Sequence, residues 1–336
     1  MSARSPRHWS RRGIVAVLLL PLSLVFILLA AARRALYRAA VLRVQRLPVP
    51  VIVVGNIAVG GSGKTPVVAW LVEALREAGF RPGIVSRGYG GRVESAGVVP
   101  PDGDAARFGD EPVLLARLTG CPVAVGRDRP AAGRSLLAAH PEIDVLVSDD
   151  GLQHYALARE VEVVVVDEQV LGNRWRLPSG PLREGIDRLA RADLVIAHGA
   201  LSAALRAAAG DVPVTQMRLV GEVLERLDGC GSRPLSDFAG RRVHAVAGIG
   251  RPQRFFEQLS VAGLEVVPHA FPDHHPFVAD DLVFDEDLPR ILTAKDAVKC
   301  APFAPSDTWV LPVAASIDAT ASQRIVEKLK HGTPPA

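Results

Sequence analysis

The run from Val51 to Thr65 reads VIVVGNIAVGGSGKT and has the makings of a phosphate cradle. An apolar, β-branched stretch enters a glycine-rich turn, and a lysine and a threonine open the next segment. Gly60, Gly61 and Gly63 let the backbone aim its N–H groups at phosphate oxygens. The helix expected to start here adds the positive end of its dipole. Lys64 supplies a point charge near the β- and γ-phosphates, and Thr65 a hydroxyl for magnesium. Ala58, Val59, Gly60, Gly61, Ser62, Gly63, Lys64 and Thr65 are therefore the candidate residues for binding ATP. The strict pattern asks for glycine at 58. Alanine can adopt the backbone angles of a loop start, so the departure is mild. The chain has five lysines, and one stands where this loop needs it.

A nucleotide site of this kind needs a second half, an apolar strand ending in carboxylate. Val145 to Asp150, VLVSDD, supplies one, and Asp149 or Asp150 could hold Mg²⁺ directly or through water. Val161 to Asp167 competes for the role. Asp149 and Asp150 are preferred because the run Gly151-Leu-Gln153-His154 comes directly after and puts more polar groups beside them.

These residues need a scaffold. Apolar strands are expected at 49–54, 81–86, 123–125, 144–148, 161–166 and 193–197, with helices at 64–78 and 111–118. Such alternation implies an α/β fold: a P-loop NTPase-like, mostly parallel sheet with helices on both faces. Glycine and serine cluster at 228–234, and the pattern then restarts. Strands at 242–247, 265–270, 290–294 and 308–313 and a helix at 252–262 suggest a smaller C-terminal α/β domain. The expected division is 1–46, 47–232 and 233–334. Residues 100–106 read as a mobile loop and the last few as a loose tail.

Residues 1–46 stand apart. They hold nine arginines and no carboxylate, and the first acidic residue is Glu73. The remaining 290 residues carry 30 basic and 36 acidic side chains, a net charge of −6. The overall +3 thus belongs to the N-terminus, which argues for anionic lipid as a partner and against nucleic acid. Ile14 to Ala32 is an uncharged apolar run of 19 residues, flanked by Arg11, Arg12, Arg33 and Arg34. It is long enough for a membrane helix, whether it spans or only inserts. A basic, apolar-spotted stretch, 35–44, could lie on the membrane surface. The competing reading is a leader cleaved near Leu29 to Ala32; a P-loop enzyme needs ATP and hence the cytosol, which speaks against it. Cys121, Cys230 and Cys300 match neither a zinc site nor a disulfide framework.

Several further runs are richer in glycine and polar residues than packing needs. Together with the loop and the anchor they resemble one family, the tetraacyldisaccharide 4′-kinases. The resemblance runs from the anchor to at least Lys295 and rests most on 55–66, 86–90, 109–112, 149–154 and 181–184. It implies transfer of the γ-phosphoryl of ATP to the 4′-hydroxyl of an acylated glucosamine disaccharide 1-phosphate in lipid A biosynthesis. It implies an inner-membrane location with the catalytic domains facing the cytoplasm, and no obligate protein partner. By resemblance Asp110 is the base that takes the sugar proton, with His274 of the second domain as its partner and His275 as the alternative. Glu111 joins the candidate metal environment, and Gln153 and His154 the nucleotide's surroundings. Arg87, Tyr89, Arg129 and Arg183 are candidates for gripping substrate. The rival reading is a membrane-associated P-loop switch or an NTPase acting on another amphipathic substrate. A GTPase would carry an Asn-Lys-x-Asp run; the nearest, Thr293 to Asp296, lacks the asparagine.

Overall fold

A computed structural model describes residues 6–93, 96–100 and 102–331. In chain order the first layers are α1 (Ile14–Leu18), α2 (Leu20–Arg38), β1 (Val51–Gly55), α3 (Lys64–Glu77), β2 (Pro82–Ser86), β3 (Gly97–Val99), α4 (Ala105–Phe108), α5 (Asp110–Thr119), β4 (Val123–Val125), α6 (Arg129–Ala139), β5 (Val145–Asp149), β6 (Val161–Val166), β7 (Leu194–His198), α7 (Ala203–Ala209) and β8 (Val214–Val220). The remainder comprises β9 (Val223–Arg226), β10 (Ser232–Pro234), β11 (Arg242–Ala247), α8 (Pro252–Val261), β12 (Glu265–Ala270), β13 (Arg290–Thr293), α9 (Ala294–Cys300), β14 (Thr308–Leu311), β15 (Ala314–Ile317) and α10 (Ala319–His331).

The first sheet has nine strands in the order β15-β8-β7-β6-β1-β5-β2-β4-β3. Its middle is parallel, and β1 lies between β5 and β6. Only β3 and β15, at the two edges, pair antiparallel. β1 is buried along its whole length. Ile52 and Val54 enter the core on one face, Val51 and Val53 the core on the other. That explains why its sequence is continuously apolar instead of alternating. α3 lays Val67, Val68, Leu71, Val72 and Leu75 on the first of these cores, a helical spacing.

The second sheet runs β10-β9-β14-β13-β11-β12, with β11 to β14 parallel. Here the chain departs from the expected division at 232/233. The glycine- and serine-rich stretch is the turn of the β9–β10 hairpin, inside the second sheet. The chain leaves the first sheet after β8 and comes back after β14. β15 then pairs with β8, and α10 buries Ala321 and Ile325 against the first core. The two crossings touch: a Cβ on Gly221 would sit 2.8 Å from the Pro312 carbonyl oxygen.

The expected mobile loop at 100–106 includes Pro101, outside the described residues. Its far end is ordered as α4, whose first turn is capped by Asp104 accepting from Ala106 N at 2.8 Å. The expected tail at 332–336 also lies outside the described residues.

The apolar N-terminal run is broken at Leu19 into α1 and α2. α2 is the one described helix long and apolar enough to cross a membrane, by length and composition. One side of it is docked on the protein. Ser23 is buried, donates to Ser179 Oγ at 2.8 Å and accepts from Ser179 N at 3.0 Å. Arg34 pairs with Glu184 at 3.1 Å, and Trp9 Nε1 donates to the Pro178 carbonyl at 2.9 Å. The opposite side leaves Leu22, Val25, Leu28 and Leu29 exposed, as is Leu18 at the end of α1.

Candidate active site

The phosphate loop hangs between the C-terminal end of β1 and the start of α3. Gly60 (φ 124°) and Gly63 (φ 86°) take the left-handed backbone that glycine favours. Asn56, fully buried, braces the turn by donating to Ser62 Oγ at 3.1 Å and to the Gly60 carbonyl at 3.3 Å. Ala58 is not among the described positive-φ residues, so its Cβ is tolerated there. It bridges to Leu182, while Val59 N donates to the Pro181 carbonyl at 2.9 Å. The 181–184 run is thereby stitched to the loop's outer edge.

Lys64, at the first position of α3, reaches Asp150 Oδ1 at 3.5 Å. Asp150 also receives Arg183 Nη1 at 2.9 Å. Burial works against its charge, but Lys64 and Arg183 hold its pKa at about 2. Asp149, at the end of β5, is the opposite case. Burial first, then the neighbouring Glu111 and Asp150 carboxylates, push it up to about 7. Ser86 Oγ donates to its Oδ2 at 3.1 Å, and its Oδ1 is buried with no hydrogen-bond partner. Two adjacent carboxylates thus sit in environments that drive their pKa values apart.

Asp110 opens α5 and is 5% exposed. Its carboxylate oxygens lie 3.0 and 2.9 Å from His274 Nδ1, which the β12–β13 connection delivers from the second domain. Burial raises the Asp110 pKa, but the His274 hydrogen bond and the charges of Lys295, His274 and Lys299 outweigh it, so the net shift is downward. For His274, burial lowers the pKa and the Asp110 bond raises it, with a net upward shift. His275 turns away and meets Asp281 Oδ2 at 2.9 Å, so it is His274 that faces Asp110. Tyr89, largely exposed, sets its ring edge-on to His274 at 5.2 Å. The two halves of the site meet at Gly250, where a Cβ would lie 3.4 Å from both Gly61 N and Asp273 Oδ2.

Other expected residues are placed differently. Arg129 is not free to grip substrate phosphate, as the sequence suggests. It is 2% exposed, and its guanidinium donates to the Gly126 carbonyl at 3.0 Å and the Asp149 carbonyl at 2.9 Å. It is a brace for the β5 turn, with a pKa lowered by burial to about 10. Arg183 is engaged with Asp150; Arg87 is exposed beside the site. Gln153 ties the loop to the 181–184 run, donating to the Asn56 carbonyl at 3.1 Å and to Glu184 Oε1 at 2.9 Å. His154 is held neutral. Burial and the charges of Arg129 and Arg159 lower its pKa to about 4. Glu111, expected near metal, pairs with Lys295 at 3.2 Å.

Sequence reasoning missed two groups, and a third that it weighed as a magnesium carboxylate has other partners. Lys295 and Lys299 face Asp110 from α9, at 4.0 and 3.8 Å. Glu184, almost fully buried, gathers Arg34, Gln153, Tyr155 and Arg188. Asp167, the competing carboxylate at the end of β6, holds Arg251 at 3.1 Å and Arg254 at 2.7 Å. It therefore tethers α8 to the first sheet. The scarcity of lysine is the available signal for Lys295 and Lys299: they are two of five in the chain.

A cradle for nucleotide phosphates on one domain, faced by a shielded carboxylate whose partner comes from the other, is how a P-loop phosphotransferase is arranged. Comparison with known proteins agrees and is more specific. Residues 15–330 match the family model LpxK, tetraacyldisaccharide-1-P 4′-kinase. The chain belongs to that family. It is 65% identical over 336 residues to the tetraacyldisaccharide 4′-kinase of Aromatoleum aromaticum, covering all of both chains. It is 62% identical to that of Azoarcus sp. (strain BH72) over 339 residues, covering 99% of this chain and 97% of the relative. The crystal structure of LpxK from Aquifex aeolicus in complex with ATP is similar with a TM-score of 0.76 at 26% identity, covering 94% of this chain and 100% of that one.

Proposed function

We propose that this chain transfers the γ-phosphoryl of ATP to the 4′-hydroxyl of a tetraacylated glucosamine disaccharide 1-phosphate, a step of lipid A biosynthesis. The observation that carries the reading is the Asp110–His274 contact between the two domains, at the far side of the phosphate loop.

Phosphoryl transfer asks the protein for in-line positioning and charge neutralisation more than for covalent chemistry. The amides of residues 58–65 and Lys64 hold the β- and γ-phosphates. With ATP present, Lys64 exchanges its Asp150 partner for phosphate, and Arg183 keeps Asp150 ionised. Asp110, kept ionised by the cations around it, accepts the proton of the attacking hydroxyl. His274 orients that carboxylate. Arg87 and Tyr89 line the open side, where the phosphorylated sugar enters.

Magnesium fits the residues present. Asp149 Oδ1 is a buried oxygen with no partner, and Thr65 and Asp150 stand at the loop. Among the described residues there is no group of three or more His, Cys, Asp or Glu side chains arranged to hold a metal. Mg²⁺ bound through one or two carboxylates, with phosphate and water completing its shell, needs no such group. When bound it neutralises charge on the phosphate oxygens.

The exposed apolar side of α1 and α2 and the arginines around it support a position at the cytoplasmic face of the inner membrane. There the enzyme meets an acylated substrate and lipid head groups. The polar side of α2 is committed to the protein through Ser23 and Arg34, which favours insertion along the interface over a free-standing span. The test is ATP turnover by the full chain in detergent, with and without the acylated disaccharide 1-phosphate. Turnover that depends on the disaccharide supports the reading. Equal turnover without it contradicts the reading and favours a switch.

A further inference from the structure

The Asp110–His274 contact leaves one nitrogen of the imidazole to explain. His274 Nε2 faces Lys295 Nζ at 3.2 Å. Lys295 rises from α9 and is largely buried. The same ammonium lies 3.2 Å from Glu111 Oε1 on α5 and 3.2 Å from Asp273 Oδ1 beside His274. The groups facing the ring are thus Asp110 from α5, Asp273 from its own segment, Lys295 from α9 and Tyr89 from the 86–90 run, with Glu111 one step out on Lys295 and Lys299 one step out on Asp110.

An ammonium has protons to give and no lone pair, and an ionised carboxylate has only lone pairs. Both neighbours of the ring are satisfied by one protonation state: Nδ1 carries the proton and donates to Asp110, and Nε2 is bare and accepts from Lys295. An imidazolium would turn Nε2–H against the ammonium and drive Lys295 onto Glu111 and Asp273 alone. We propose that Lys295 is a positioning residue of the acceptor site, fixing His274 as the Nδ1–H tautomer aimed at Asp110 and joining the second domain to α5 through Glu111. This rests on the reading of Asp110 as the base. It moves the permanent positive charge beside that base from the imidazole to the two lysines of α9. Orientation of a catalytic imidazole by the group on its other nitrogen is a familiar device; here the orienting group is a cation that must donate.

In the sequence Lys295 reads only as part of a defective guanine-reading run. The structure gives that run another use. Thr293 caps α9 by accepting from Asp296 N at 3.2 Å, and Asp296 receives Gly248 N at 2.8 Å. The helix that presents Lys295 is thus anchored beneath the Gly248–Gly250 turn that covers Gly61.

The test uses the full chain in detergent at about pH 8, with ¹⁵N-labelled histidine and His274 assigned from the spectrum of a His274→Gln variant. The proposal expects Nδ1 protonated and Nε2 bare at His274. Protonation at both nitrogens, or at Nε2 alone, overturns it. In Lys295→Met the tautomers should mix and kcat should fall about tenfold, a part of the ~10²–10⁴ a general base contributes, with KM for ATP little changed. Unchanged kcat in a cooperatively folding Lys295→Met, alongside a large loss in His274→Ala, overturns the lysine's role and leaves the Asp110–His274 reading intact. Unchanged kcat in His274→Ala instead removes the reading on which the proposal rests. Should Lys295→Met fail to fold, the wild-type spectrum alone decides.

Discussion

The imidazole Nδ1 of His274 lies 2.9 Å from Oδ2 of Asp110, across 164 residues of sequence and from one domain to the other. On the proposed reading of Asp110 as the base, that base is complete only when both domains are in place. Asp110→Ala should lower kcat by about 10²–10⁴ with KM for ATP nearly unchanged, and His274→Ala by less. Because the two act as a unit, the double variant should be little worse than Asp110→Ala alone. Steady-state kinetics of the three variants test this; additive losses would mean the residues act separately.

Gly109 sets the direction in which Asp110 points. Its φ is 92°, and a Cβ there would lie 2.6 Å from the Tyr89 carbonyl oxygen. Gly109→Ala is expected to cost about 1–3 kcal/mol of stability and to displace both Asp110 and Tyr89. Thermal unfolding and kcat measured together should both fall, and a loss of neither would contradict the packing described.

His154 gives a pH dependence with a definite sign. Its folded pKa of about 4 is below the ordinary 6.5 because burial and neighbouring arginines oppose the charged form. Above pH 6.5 it is neutral in both folded and unfolded chains. Between 6.5 and about 4 the unfolded chain takes up a proton that the folded chain refuses, so stability falls as pH falls. His154→Gln should flatten that part of the profile and leave neutral-pH stability less affected. Unfolding midpoints across about pH 4–8 provide the check.

The two sides of α2 should respond differently. Ser23→Ala leaves Ser179 N and Oγ without their buried partner and is expected to cost about 1–3 kcal/mol, with vesicle binding retained. Leu28→Asp with Leu29→Asp, on the exposed side, should spare the unfolding midpoint and weaken vesicle binding. A charge inside the bilayer costs ~3 kcal/mol on insertion scales. Co-sedimentation with vesicles and thermal unfolding separate the two effects.

The parts of the molecule legible in the sequence are local. β1, the loop and α3 are contiguous, so their order and residue types carry the phosphate site by themselves. β6, β11 and β12 have their expected bounds; in β6 and β11 the apolar run marks a buried parallel strand, while β12 lies half-exposed at the edge of the second sheet. The return of β15 and α10 to the first sheet is hidden. Only Pro312 and Val313 separate β14 from β15, and no glycine-rich seam marks the crossing. Arg129 misleads because an arginine's sequence neighbours do not say whether its guanidinium meets a ligand or two backbone carbonyls. Lys295 is illegible because its partners Glu111 and Asp273 lie 184 and 22 residues away. The Asp110–His274 pair is legible only through the family resemblance, for the same reason.

The most direct measurement is the position of the new phosphate after incubating the full chain with ATP·Mg²⁺ and detergent-dispersed tetraacyldisaccharide 1-phosphate. Phosphorus NMR and mass spectrometry of the lipid product should show one added phosphate, on the 4′-oxygen, with none formed by Lys64→Ala. Phosphate at another position, no phosphorylated lipid from wild type, or robust transfer by Lys64→Ala would contradict the assignment.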